Sequence, residues 1–330
     1  TAGTALAVGS TPASGSDGIY LDGTSYLQTV NGDIHLTAAN EVQVGWSGAS
    51  SGGVINNGTG RVTTTDGGNI TVTTGHGDVN TGANTGGYTY TTFPPRTTAP
   101  YYGISPTLGG ISTAAGGNLV INAPGNVISY FPNGVASAAN FDAGTGAFGS
   151  QPGDVTITAG GSVTGHYVVA HGSGSITAGQ DIGNASHNVA LSLINGSWVL
   201  KAPNGNIYLQ EVRNPSGVFV NPGSVLSPAY HLFDYGLQDS VGLNAGAGVY
   251  LTGTSLPRLS SAPVPVIYPS SLSISAGSGG ITLGGAVILF PSPYGELGIT
   301  TTGGGDFTGV AGSGSPLSMS DSAQTQWTSP

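Results

Sequence analysis

The chain has 330 residues, 59 of them glycine and 20 proline, and only 6% are charged, where an average globular domain has about 25%. Five basic against 15 acidic side chains give a net charge of −10, so the chain cannot neutralise a run of phosphates, and nucleic acid and anionic membrane are poor partners. No apolar run approaches the roughly 18 residues of a transmembrane helix, so no membrane insertion is expected, and a large repetitive β structure needs none of the cysteines this chain lacks.

The sequence opens at Thr1 without a methionine or a charged-then-apolar leader, as expected of a processed or excerpted segment. Residues 1–31 read as a lead-in or first coil. From Gly32 a short unit recurs: GDIHLTAANEVQVG, then GNITVTTGHGDVNTG from Gly68, GNLVINAPGNVISY from Gly117 and GDVTITAGGSVTG from Gly153. It continues as GSITAGQDIG from Gly174, SWVLKAPNGNIYLQ from Ser197, VGLNAGAGVYLTG from Val241, LSISAGSGGITLGG from Leu272 and LGITTTGGGDFTG from Leu297. A degenerate PLSMSDSAQTQW from Pro316 falls in 311–330, read as a last coil or tail. The closest repeats are roughly 20–25 residues apart, within the range of solenoids.

Each unit alternates like a strand. Val155 and Ile157 take one face and Thr156 and Thr158 the other, and Ala159-Gly160-Gly161 then turns the chain, because glycine accepts positive φ without a Cβ clash. No stretch has helical apolar spacing. Strand, corner, strand is one coil of a β-solenoid, stacked on the last by parallel hydrogen bonds at about 4.8 Å. Ten to thirteen coils would give a rod of roughly 50–60 Å. A propeller would need blades of about 40–50 residues, which the spacing does not supply.

Three Pro- and aromatic-rich stretches interrupt the shaft predicted over 32–310, at 86–106, 211–236 and 255–271. A stacked coil tolerates insertion only at a corner, pointing outward. Tyr88, Tyr90, Phe93, Tyr101 and Tyr102 in the first stretch, and Tyr230, Phe233 and Tyr235 in the second, are the candidate contacts for a carbohydrate or partner. Packing of these rings onto the shaft is the competing expectation.

The units GDVTITAGGSVTG, GNITVTTG and SLSISAGSGGITLGG resemble the repeats of the filamentous haemagglutinin-like family, exoproteins of Gram-negative bacteria often secreted by the two-partner route. The likeness covers most of 32–309. It implies a right-handed parallel β-helix, location outside the cell or on its surface, and a role as the shaft of an adhesin or filament. Expected partners are copies of the chain end to end or the rest of a longer rod, together with host or matrix glycans.

β-Helices also carry polysaccharide lyases and hydrolases. The GHG at Gly75–Gly77 resembles part of the polygalacturonase signature, but the remaining motifs of that family are missing. Asp154 and Asp181 could stand on neighbouring coils at the roughly 6.5–9.5 Å of an inverting pair. Asp154, however, occupies the strand-start slot that Asn69 and Asn118 fill in other units, which favours a corner cap. Arg213 shares a stretch with His231, Asp234 and Asp239, the best place for chemistry if any exists. His35, His76, His166, His171 and His187 lack metal-ligand spacing, and GTGAFG at 144–149 has no helix after it to hold a phosphate. The expectation is an all-β solenoid with outward loops and with no catalytic residue, cofactor or metal.

Overall fold

A computed structural model describes residues 16–21, 25–29, 31–44, 54–57, 67–82, 87–91, 101–104, 110–131, 142–149, 151–214, 235–253, 266–309 and 317–319, with backbone alone at 54–57, 87–91, 101–104 and 142–143. Their regular structure is entirely β. One sheet holds 21 strands, with two three-stranded sheets beside it. Within the large sheet every pairing is parallel, and the repeat predicted from sequence is its organising unit.

The first strand of each unit forms one in-register ladder. Its first inward column runs Ile34, Ile70, Leu119, Val155, Gly174, Trp198, Val241, Leu272, Leu297, and its second runs Leu36, Val72, Ile121, Ile157, Ile176, Leu200, Leu243, Ile274, Ile299. A slip by one residue would turn every apolar side chain to solvent, so the alternation fixes the register. The residue after each corner builds a second ladder: Ile19, Val42, Val79, Val127, Val163, Ile182, Ile207, Val249, Ile281, Phe307. From Val42 to Ile281 this column is at most 2% exposed.

A third ladder was not expected. Strands Tyr26–Thr29, Val54–Asn57, Gly110–Thr113 and Thr145–Ala147 pair in parallel with one another, then with the middle of Val163–Ala178, the start of Val189–Ala202 and the end of Ile207–Arg213. Each unit therefore contributes three strands where the sequence suggested two. The lead-in at 1–31 already holds ladder strands, Ile19–Leu21 and Tyr26–Thr29. The stretch 255–271 ends in strand Ile267–Tyr268, which pairs in parallel with Val287–Leu289, itself paired with Leu317–Ser318. One contiguous apolar cluster draws its members from all three ladders.

Trp198 is the largest side chain of that cluster and is fully buried, its indole Nε1 donating to the Ser192 carbonyl at 3.0 Å. Room for it comes from the rung before. Gly174 is its neighbour in the column, and a Cβ there would collide with the indole carbons.

The corners are tied by stacked side chains. Asp33 Oδ1 accepts the Asn69 backbone N–H at 2.7 Å, Asn69 Oδ1 that of Asn118 at 2.9 Å, Asn118 Oδ1 that of Asp154 at 2.9 Å, and Asp154 Oδ1 that of Ser173 at 2.8 Å. A second stack runs at the next corner, where Asp78 accepts from Asn126 and Asn126 from Ser162, and later Asp181 from Asn206 and Asn206 from Gly248. Asn and Asp are suited to this because their short side chains reach a backbone N–H that strand pairing leaves free at a turn. Asp154 is thus the strand-start cap that its slot suggested.

Candidate functional site

The described part of the first interrupting stretch is a pair of antiparallel strands. Gly87–Thr91 pairs with Tyr101–Ile104, placing Tyr88 opposite Ile104 and Tyr90 opposite Tyr102, and Asp142–Ala143 adds a third strand beside Tyr88. Directly opposed residues share a face of a two-stranded ladder, so the positions of Tyr88, Tyr90 and Tyr102 fall on one face. Tyr101, opposite Thr91, falls on the other. Four of the eight candidate aromatics are thus brought into one small sheet. Phe93, Tyr230 and Phe233 lie outside the described residues.

Tyr235 behaves differently. Its ring is 3% exposed and meets Phe290 edge-on at a centroid distance of 6.1 Å, so it offers no face to a sugar. Its hydroxyl lies 2.9 Å from the Val212 carbonyl and 3.1 Å from that of Ile267. These carbonyls belong to strands Ile207–Arg213 and Ile267–Tyr268, which lie in different sheets and form no backbone ladder with each other among the described residues. The tyrosine spans that break with its single proton, packing the end of the insertion onto the sheet.

The same point is clamped by Asp239. Its carboxylate accepts the N–H of Gly196 at 2.8 Å and of Gly236 at 2.7 Å, while Ser270 Oγ donates to the carbonyls of Leu237 and Asp239. Burial pushes the Asp239 carboxyl up to about 6, against the opposing pull of the two N–H donors.

A polar cluster that sequence reasoning missed lies on the third ladder. His166 Nε2 is 2.8 Å from Ser192 Oγ, Arg213 Nε donates to the same oxygen at 3.4 Å, and Arg213 pairs with Glu211 at 3.3 Å. All four side chains are at most 3% exposed. Serine beside histidine and a guanidinium is the raw material of a nucleophile, but a buried, mutually bonded set also satisfies itself structurally. Nearby, the Tyr268 hydroxyl is fully buried with no hydrogen-bond partner among the described residues, and burial first, then the Glu211 carboxylate, raises its pKa. The sequence marks Arg213, with Asp239, as a place for chemistry, and names His166 only among histidines without metal-ligand spacing. His231 and Asp234 lie outside the described residues.

Asp154 and Asp181 do not face one another as a pair. Each is engaged in its own corner stack. The GHG stretch is a corner between strands Ile70–Thr74 and Val79–Asn80, with His76 exposed. His35 is exposed 3.9 Å from Asp33, His187 is exposed, and half-buried His171 has its pKa lowered by burial. Among the described residues no helix is long and apolar enough to cross a membrane.

No family model matches the chain, and neither a curated protein nor a solved structure matches it. The likeness to filamentous haemagglutinin-like repeats therefore rests on the motifs quoted above.

Proposed function

We propose that the three ladders are the faces of a right-handed parallel β-helix, and that the chain is a structural shaft segment of a secreted or surface-borne bacterial adhesin or extracellular filament. On this reading it works by shape and by the loops it holds out, with no catalytic residue. The observation that carries the proposal is the unbroken inward column from Ile34 to Leu297, kept in register across repeats of very different length. Nine strands at about 4.8 Å span roughly 40 Å, a rigid spacer requiring neither charge nor disulfides. Small-angle scattering and electron microscopy of the purified chain test this. A rod at least twice as long as wide supports it, and a compact or expanded particle overturns it.

A second reading, carbohydrate binding with or without cleavage, is favoured by the placement of Tyr88, Tyr90 and Tyr102 on one face of the strand pair. Tyrosine rings bind sugars by stacking on their C–H faces. A glycan array compares the native chain with Tyr90→Ala/Tyr102→Ala. Binding lost in the variant supports the reading, and unchanged or absent binding removes it.

A further inference from the structure

Two strand glycines have no cause in the fold. A Cβ on Gly146 would run into the Val168 backbone and one on Gly174 into the Trp198 indole, so those positions admit nothing larger. Gly242 and Gly298 differ. Neither has a positive φ, and an added Cβ would meet its nearest atom at 3.8 Å on Gly242 and at 3.7 Å on Gly298, ordinary contact distances. Both lie inside regular strands, Ser240–Ala245 and Leu297–Thr301, where a β-branched residue suits the surface and glycine weakens it. Earlier rungs of the same outward column carry such residues, among them Thr71, Val120, Thr156 and Val199. A strand glycine that its surroundings do not require marks a place where a ligand or another chain comes close.

The two glycines deepen a groove on the outer side of the first ladder. Its floor is the column Val199, Gly242, Ser273, Gly298, and one wall is the column Ser240, Ser271, Glu296, which stands two residues earlier in each strand. The Ser271 hydroxyl accepts the Glu296 N–H at 3.2 Å and ties the wall together. The cavity is about 300 Å³, at the lower end of small-molecule sites. Its four rungs span about 14 Å at the ladder spacing.

The lining selects the occupant. Serine hydroxyls both donate and accept and a carboxylate accepts, the complement of a ring bearing several hydroxyls, while Val199, 38% exposed, offers an apolar contact. None of the lining residues is a cation, Lys201 standing on the flanking column, so a sulfated or uronic sugar would meet Glu296 as a like charge. A peptide cannot join as an added strand, because Ser240–Ala245 and Ser271–Ala276 are already paired on both sides.

We propose that this groove binds a neutral glycan, its rings lying over Gly242 and Gly298 and its hydroxyls bonded to the serines and to Glu296. This rests on the carbohydrate reading and gives it a site apart from Tyr90 and Tyr102.

An array of neutral, sulfated and uronic oligosaccharides, followed by calorimetric titration of the strongest neutral binder, tests this with Gly242→Val, Gly298→Val, Glu296→Gln and Tyr90→Ala/Tyr102→Ala. Each valine fills the groove at a position with room for a side chain, so urea unfolding should show no loss of stability. The expected result is a preference for neutral oligosaccharides, weakened roughly tenfold or more by either valine, weakened also by Glu296→Gln, and unchanged in the tyrosine variant. Binding that survives the valines, a preference for charged sugars, or a valine variant of lower stability overturns the proposal. Loss in the tyrosine variant moves the ligand to that strand pair, which removes the groove and leaves the carbohydrate reading standing. A native chain that captures no oligosaccharide removes both.

Discussion

Replacing Gly174 by valine introduces a side chain where the indole of Trp198 already lies, and overpacking of this kind costs about 2–3 kcal/mol. Replacing Trp198 by valine leaves a void beside Gly174 and strips the Ser192 carbonyl of its indole donor, for about 3–4 kcal/mol. Made together, the two changes convert the column Val155, Gly174, Trp198, Val241 into four valines in succession, the aliphatic stacking found elsewhere in the ladder. The double variant should therefore be more stable than the sum of its parts by at least about 2 kcal/mol, a coupling typical of side chains in direct contact. Urea unfolding followed by far-ultraviolet circular dichroism measures the global effect. Because stacked repeats need not unfold as one unit, hydrogen exchange of the amides in Val163–Ala178 and Val189–Ala202 provides the local one. Additive losses in both assays would refute the claim that glycine and tryptophan are fitted to each other across the rungs.

Asn126→Ala removes the acceptor for the Ser162 N–H and the amide that donates to Asp78, and should cost about 1–2 kcal/mol in the same urea titration, with exchange rising first at Val163. Tyr235→Phe keeps the ring against Phe290 but leaves the Val212 and Ile267 carbonyls without their hydroxyl, so a loss of about 1 kcal/mol and faster exchange around Ile267 are expected. Asp239 supplies a pH test. Its folded-state pKa of about 6 lies above the ordinary 3.8, so the folded chain holds this proton more tightly than the unfolded one. Its contribution should make the fold more stable as pH falls from 6 towards 4, by about 1.4 kcal/mol per pH unit, and flat outside that window. Subtracting the pH profile of Asp239→Asn isolates the effect, and a difference of opposite slope would show that the carboxylate is stabilised by its donors more than it is penalised by burial.

Much of the scaffold could be read from residue order, because two of the three ladders face solvent on their outer side. Val155, Ile157 and Val163 alternate with Thr156, Thr158 and Thr164, and all three apolar residues are at most 1% exposed. The third ladder gave no such signal. In Gly110–Thr113 all four residues are buried, and along Tyr167–Val169 both the inward residues and Val168 are inaccessible, so the period of two disappears. Strands such as Thr145–Ala147 also lack the bulky residues that mark a core. The strand pair holding Tyr88 and Tyr102 fell within a stretch marked by its aromatics, but nothing in the spacing revealed that it would pair with Asp142–Ala143. The His166, Ser192, Glu211 and Arg213 cluster was illegible for another reason. Its members come from three different rungs, and only stacking brings them together.

The stacked caps join Asn69 to Asn118, 49 residues apart, as closely as they join Asp154 to Ser173, 19 residues apart. Register is thus indifferent to how far the chain wanders between corners. For an engineer, that makes the stretches between corners splice points, where a foreign epitope or a small domain can be held at a chosen height along a fixed axis. For a lineage, it separates two rates of change: what is displayed can be rewritten by insertion and deletion while the ladder that displays it stays the same.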